Sequence, residues 1–186
     1  MPSSLSALSP LDGRYETSAD PLRPYFSEAA LIRYRVRVEL EWLKALAAER
    51  RIRELKPFSR ATLAGLDRLV AGFPGGDATH IKNIEAETNH DVKAIEYWLK
   101  GRLAKSAEVQ RSLEYIHFAC TSEDINNLAY ALMLRDTRER VLLPYLDTLI
   151  GKLTGLAHGA AEAPMLARTH GQPATPTTLG KELAYV

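Results

Sequence analysis

Three short polar segments of the sequence contain side chains that could bind an anion and move a proton. They read TNHD at residues 88–91, TSED at 121–124 and RTHG at 168–171. Two of them contain a histidine, which can donate or accept a proton near neutral pH, and all three contain a hydroxyl group that can donate a hydrogen bond. This combination is typical of an acid–base site that handles a carboxylate or a phosphate.

Each segment lies close to the start of a predicted helix. Asp91 and Ser122 occupy positions where an N-cap is expected, and capping alone would explain the Thr, Ser, Asn and Asp residues around them. Helix N-termini also present unpaired N–H groups and the positive end of the helix dipole, which favour bound carboxylates and phosphates. From the residues alone, two interpretations stay open: ordinary caps, or an anion-binding catalytic site.

His170 is predicted to lie in a tight polar turn. Pro173 and Pro176 each lack an N–H group and fix φ, so no regular helix can cross this stretch. Thr175 followed by Pro176 predicts the N-cap and first turn of a last helix. In such a turn, His170 is either an exposed loop residue or a titratable group held near a substrate.

Other site chemistries find no support in the sequence. Cys120 is the only cysteine and cannot form a thiolate metal site by itself. No Gly-x-Ser-x-Gly elbow is present, and the glycine-rich run at 72–76 is too short to cradle a phosphate. We therefore expect neither a metal nor a cofactor. The histidines match no metal-ligand spacing either: His80, His90, His117, His158 and His170.

Composition and charge exclude several classes of partner. The chain has 186 residues, of which 46% are hydrophobic and 25% charged, so it can form an ordinary globular core. A net charge of +1 gives no electrostatic reason to expect a nucleic acid or a membrane as partner. The single cysteine suits a reducing compartment, and the sequence shows neither a secretory signal nor an apolar run of about 20 residues. We expect a soluble, cytoplasmic protein.

The hydrophobic pattern is helical almost throughout and predicts an all-α chain of long helices suited to a bundle. Ser27 and Ser59 are expected N-caps, Pro144 is expected to kink or divide the longest helix, and no stretch alternates as a strand would. Arginines between residues 33 and 53 alternate with glutamates and are interpreted as a solvated helix face. The predicted helices cover about 27–50, 59–71, 77–88, 91–103, 122–158 and 176–186.

Two of the polar segments, extended as TSEDINN and RTHGQPATPTTLGKE, resemble the fumarase/aspartase superfamily of β-eliminating lyases. SPLDGRY at 9–15 and TNHDVKAIEYWLK at 88–100 are similar to its bacterial purine-pathway members. The resemblance implies an N-terminal helical domain over 1–121 and the beginning of a long-helix bundle over 122–186. It also implies cleavage of adenylosuccinate to AMP and fumarate, and the matching cleavage of succinyl-aminoimidazole-carboxamide ribotide.

The resemblance assigns a role to each matching position. His170 matches the general acid that protonates the leaving nitrogen, and His90 is the second catalytic candidate. Arg14 and Tyr15 match contacts to the nucleotide phosphate. Asn89, His90 and Asp91 match a turn that contacts the substrate. Thr121 and Ser122 match the residues whose hydroxyls hold the succinyl carboxylates.

The sequence also departs from the superfamily pattern. The general base is expected to be a serine in a Ser-Ser-x-Met-Pro-x-Lys-x-Asn loop, and nothing in residues 1–186 resembles it. The last helix stops at Val186 after about three turns, so we expect a fragment of a longer homotetrameric enzyme that is inactive by itself. Two alternatives remain: another lyase of the superfamily, such as argininosuccinate lyase, fumarase or aspartase, or a non-catalytic helical assembly module.

Overall fold

The structure is a computed structural model that describes residues 6–73 and 75–186. Within these residues, helices dominate and a single two-stranded ribbon is present, so the all-α prediction is confirmed. No described helix is long and apolar enough to cross a bilayer. The elements are α1 Glu16–Ala19, α2 Arg23–Phe26, α3 Glu28–Ala48, α4 Arg60–Ala71, α5 Gly75–Thr88, α6 Asp91–Leu103, α7 Ala107–Gln110, α8 Ser122–Thr137, α9 Leu143–Gly159, β1 Pro164–Thr169, β2 Gln172–Thr178 and α10 Leu179–Leu183.

The chain forms two compact units, of which the first ends at Asp136 and the second runs from Thr137 to Val186. Helix α8 therefore packs with the N-terminal helices for most of its length. The predicted domain boundary between residues 121 and 122 marks where the long-helix bundle is expected to begin. It stays a prediction.

Helix α3 is the central element of the first unit. Ser27 caps it as predicted, because its hydroxyl accepts a hydrogen bond from the Ala30 N–H at 3.2 Å. Helix α3 is buried on two sides and separates two cores. On one side, α3 packs against α4, α5 and α6 through Ile32, Val36, Leu40, Leu43, Leu46 and Ala47. On the other side, the core contains Tyr34, Val38, Val92, Ile125, Ala129 and Met133.

The predicted starts of α4 and α8 are confirmed. Ser59 caps α4 through its hydroxyl, which accepts the Thr62 N–H at 3.2 Å. In α8, the buried face follows Ile125, Ala129 and Met133, whereas Leu128 is 57% exposed.

The predicted long helix over 122–158 is present as unbroken helical backbone, with a π-helical turn just before Pro144, so the proline does not divide it. Helix α8 ends at Thr137, a π-helical turn covers Arg138–Leu142, and α9 begins at Leu143 with Pro144 in its first turn. The Leu143 N–H donates to the Arg138 carbonyl five residues earlier, and this wider π-helical turn accommodates a proline that has no N–H group of its own.

The second unit contains a β-hairpin that the sequence analysis did not predict. Strands β1 and β2 pair antiparallel, with Pro164 opposite Thr178 and Thr169 opposite Gln172. Prolines are accepted because both strands of a two-stranded ribbon are edges. The predicted N-cap at Thr175 is therefore wrong. Helix α10 starts at Leu179, where the Thr178 hydroxyl accepts the Lys181 N–H at 3.2 Å.

Candidate functional site

The turn between α5 and α6 contains the first group of candidate residues. Asn89 adopts a left-handed conformation with φ of +52°, and its N–H donates to the Glu85 carbonyl at 2.8 Å to end α5. The predicted N-cap at Asp91 is wrong: His90 occupies that position, and its Nδ1 accepts the Lys93 N–H at 3.2 Å. The His90 ring is thereby oriented at the positive end of α6.

Asp91 is the first residue of α6 and is held by two partners. Its Oδ1 accepts the Val92 N–H at 2.8 Å, and its Oδ2 lies 2.6 Å from Arg35 Nη2. Partial burial by itself would raise the pKa of the Asp91 carboxyl, but the Val92 N–H and the Arg35 guanidinium together hold this pKa below its usual range. Asp91 is therefore an anion with a fixed orientation.

An open depression of about 510 Å³ lies on the surface beside this turn. Its volume falls in the range of small-molecule sites. Lys82, at its edge, forms ion pairs with Glu28 at 2.6 Å and Glu85 at 2.9 Å. The depression thus combines a positive helix end with both signs of charge. Its lining residues are Lys82, Glu85, Ala86, Asn89, His90 and Asp91.

The start of α8 contains the second group. The Thr121 N–H donates to Asp124 Oδ2 at 2.8 Å, which is one half of a capping box. Ser122 was predicted as an N-cap, but it is the first helical residue, and Thr121 precedes the helix. The Ser122 hydroxyl is therefore not needed for capping and is half-buried in the first turn of α8.

A buried carboxylate fixes the segment that leads into α8. Glu39 of α3 is fully buried; its Oε2 accepts the His117 N–H at 3.1 Å, and its Oε1 lies 2.7 Å from His117 Nδ1. Burial raises the pKa of Glu39, and its contacts with His117 oppose that rise. His117 and Ala119 both have positive φ, of 62° and 58°. The pairing with Glu39 gives His117 a structural role.

Arg35 connects the two groups. Its guanidinium binds Asp91 and also donates from Nε to Asn126 Oδ1 at 2.8 Å, and its side chain is only 8% exposed. Asn126 lies four residues after Ser122, on the same face of α8. The Arg35 guanidinium thus binds both the start of α6, through Asp91, and the first turns of α8, through Asn126.

The interpretation of the α3 arginines as a solvated face is therefore wrong for Arg35. It is also incomplete for Arg37, which lies 3.5 Å from the buried carboxylate of Asp136. Arg35 and Glu39 were missed as functional candidates. The available signal was two charged residues spaced four apart in the middle of an apolar helix, where only paired charges are buried.

His170 belongs to the second unit and lies at the tip of the hairpin. Thr169 and Gln172 pair across a two-residue loop, in which His170 has φ of +50° and Gly171 has φ of +76°. Positive φ at both loop residues is what a type I′ turn requires. The prediction that His170 lies in a tight polar turn is confirmed, and its side chain is exposed.

Arg14 and Tyr15 lie on an exposed turn before α1. The Tyr15 N–H donates to the Pro10 carbonyl at 2.8 Å, and the Arg14 guanidinium lies 5.5 Å from the centre of the Tyr15 ring. Among the described residues, no hydrogen bond or ion pair joins this turn to the α5–α6 turn or to the start of α8. Nor does the described part of the chain hold a cluster of three or more His, Cys, Asp or Glu side chains suited to a metal ion.

Residues 13–186 match the lyase family, and the chain belongs to that family. The similar proteins include adenylosuccinate lyases, from Haemophilus influenzae with 53% identity and from Escherichia coli K12 with 52% identity. Both matches cover 99% of this chain and 40% of the relative, so the chain spans about two fifths of their length. The adenylosuccinate lyase of Legionella pneumophila strain Corby is 48% identical over 179 residues, which are 96% of this chain and 39% of the relative. The resemblance found in the sequence is thereby confirmed.

The fold is shared with solved structures of lower identity. The 3-carboxy-cis,cis-muconate lactonizing enzyme of Pseudomonas putida superposes with a TM-score of 0.63 at 23% identity, over 90% of this chain and 36% of that one. The β-carboxy-cis,cis-muconate cycloisomerase of Acinetobacter calcoaceticus gives 0.63 at 20% identity, over 88% and 36%. At this identity the likeness concerns the fold alone.

Proposed function

We propose that the protein containing these residues cleaves adenylosuccinate to AMP and fumarate by β-elimination. It would also release fumarate from succinyl-aminoimidazole-carboxamide ribotide. The observation that carries the proposal is the joint anchoring of two helix N-termini, those of α6 and α8, to Arg35. Two positive helix ends suit a substrate that carries several anionic groups. The relatives named adenylosuccinate lyase, at about 50% identity, supply the particular substrate.

In this proposal, the starts of α6 and α8 bind the substrate. The Thr121 and Ser122 hydroxyls donate to the succinyl carboxylates, while Asn89, His90 and Asp91 contact the rest of the substrate. Arg14 and Tyr15 bind the nucleotide phosphate, for which a guanidinium offers charge and paired donors. Donors placed where negative charge develops stabilise the transition state more than the ground state.

The chemical step breaks one C–N bond and forms one C=C bond. A base removes the β-proton of the succinyl group, and negative charge builds on the adjacent carboxylate as an aci-form. The C–N electron pair then leaves with the purine nitrogen, which takes a proton from His170 while His90 orients the substrate. The general base is assigned to a serine beyond these 186 residues.

The oligomeric state and the compartment are also proposals. The superfamily resemblance implies a homotetramer in which each active site combines residues from three subunits. His170 can therefore serve a site whose α6 turn belongs to another subunit. A cytoplasmic location is proposed because the chain has a single cysteine and a family role in nucleotide synthesis.

Fumarate release by the purified full-length protein tests the proposed function. We expect turnover with adenylosuccinate and none with argininosuccinate, malate or aspartate. Preference for one of these other substrates would assign the protein to a different lyase of the superfamily. Absence of turnover with all four, from a folded tetramer, would favour the non-catalytic assembly module.

A further inference from the structure

Three polar side chains of α3 lie on one face and reach the two candidate segments. Arg35, Glu39 and Trp42 are spaced four and three apart, so they share one face of the helix. Arg35 binds at the start of α6 and on α8, and Glu39 binds His117. Trp42 Nε1 donates to the Phe118 carbonyl at 2.8 Å. We name Arg35, Glu39 and Trp42 the polar stripe of α3.

Arg35 is suited to hold two groups at once. Its planar guanidinium directs Nη2 to Asp91 at 2.6 Å and Nε to Asn126 at 2.8 Å. A lysine has one compact ammonium group and cannot reproduce this fixed fork. With 8% of its side chain exposed, Arg35 has little surface left for a substrate.

Glu39 holds the approach to α8 in the same way. Its two oxygens bind the backbone N–H and the ring of His117, at 3.1 and 2.7 Å. The positive φ values of His117 and Ala119 mark a backbone shape that L-residues adopt only when the surroundings enforce it. The segment held in this shape ends at Thr121, one of the proposed carboxylate-binding residues.

We propose that Arg35 and Glu39 are positioning residues that set the geometry of the α5–α6 turn relative to the start of α8. Neither residue contacts the substrate; they act through Asp91, Asn126 and His117. The inference rests on the proposed function for its kinetic consequences. A misplacement of about 1 Å between substrate-binding groups can lower a rate about 100-fold, so a small change in this stripe has a measurable effect.

A merely structural role predicts a different result. If Arg35 only stabilises the fold, its replacement lowers the melting temperature, and the molecules that remain folded keep their kcat and KM. If it positions the two segments, kcat/KM falls in a protein that is still folded. The two roles therefore separate when kinetics and stability are measured on the same samples.

The kinetic test compares Arg35→Lys with Arg37→Lys in the full-length protein. Both changes keep the charge on α3, and Arg37 pairs with Asp136, away from the proposed substrate-binding residues. We expect Arg35→Lys to lower kcat/KM for adenylosuccinate by about 10- to 100-fold. Arg37→Lys should stay within about twofold. Equal kinetics for the two variants would overturn the inference.

A double-mutant cycle shows whether Arg35 acts through Asp91. We expect the losses from Arg35→Lys and Asp91→Asn to be less than multiplicative in the double variant, because both remove the same link. Independent, multiplicative losses would contradict an action through Asp91.

Amide hydrogen exchange gives a readout that needs no substrate. Faster exchange at residues 89–93 and 117–124 is expected in Arg35→Lys and in Glu39→Gln, with α4 and α5 unchanged. Unchanged exchange at both segments would overturn the inference. If the wild type fails to cleave adenylosuccinate while these exchange changes occur, the proposed function fails and the positioning role stands.

Discussion

The type I′ turn at His170 allows the proposed general acid to be removed without disturbing the backbone. Asparagine followed by glycine is the preferred pair in this turn, because asparagine tolerates a positive φ and glycine has no Cβ. His170→Asn therefore keeps the loop and deletes the imidazole. His170→Ala deletes the imidazole and also places alanine at φ of +50°.

The structure gives separate magnitudes for the two effects. The His170 side chain is exposed, so its removal loses little packing. Histidine already carries a Cβ at this positive φ, so alanine adds less than about 1 kcal/mol of strain to the free energy of unfolding, and asparagine, which tolerates this φ, should add none. Loss of a general acid lowers a rate by about 100- to 10,000-fold, which corresponds to about 3–5 kcal/mol in the activation free energy. The chemical effect therefore exceeds the conformational one.

The assay measures kcat for fumarate release, nucleotide affinity and thermal unfolding on the same variants. We expect His170→Asn and His170→Ala to lose turnover equally, with nucleotide affinity within about tenfold of wild type, because the proposed anion-binding groups remain. Gly171→Ala is the matched control: it has φ of +76° and open space around the new Cβ, so it introduces strain while the imidazole stays. It should lose about 1 kcal/mol of stability and keep most of its rate. Wild-type turnover in His170→Asn would remove His170 from the mechanism.

Three further predictions concern the first unit. Arg14→Ala should raise KM for the nucleotide at least about tenfold, because a phosphate loses a charge-assisted donor, and an unchanged KM would assign Arg14 to the surface only. Ser122→Ala should lower kcat at least about tenfold with little change in melting temperature, because Ser122 is not the cap; a variant that melts earlier but turns over normally would contradict this. Because burial raises the pKa of Glu39 above its ordinary 4.5, the folded state binds this proton more tightly than the unfolded state does. The unfolding free energy of wild type minus that of Glu39→Gln should therefore fall as pH rises from about 4 to about 7 in urea titrations, and a difference that rises would refute the assignment.

Local signals predicted most helices and one turn of this chain. Ser27 and Ser59 cap α3 and α4 because a hydroxyl three residues before an N–H is a local geometry that the sequence shows directly. The hairpin was missed because its residues do not alternate and include prolines, and its pairing depends on the positive φ at His170 and Gly171. Such a turn is encoded by two residues, and the strands beside it carry no pattern of their own.

The candidate site was predicted only in part, because some of its residues are far apart in the sequence. The polar residues at both helix starts were recognised as substrate-binding candidates. The N-caps were predicted at Asp91 and Ser122, each of which is the first residue of its helix and lies one position after the cap. Arg35 and Glu39 were interpreted as surface charges because their partners Asn126 and His117 are 91 and 78 residues away. No local pattern in α3 shows that another segment will cover these charges.

The two-sided burial of α3 has a consequence for synthesis on the ribosome. The Tyr34 hydroxyl donates to Asp136 across 102 residues, so α3 is made long before its last partner. At about 5–20 residues per second, roughly 5–20 s separate the synthesis of these two residues. Until residues 91–126 have been made, Arg35 and Glu39 lack the partners that let them leave water. Nascent chains arrested before Asp136 also lack the partner of Tyr34 and should remain protease-sensitive. We therefore expect the first unit to fold in one late cooperative step, with chaperones holding α3 until α8 emerges.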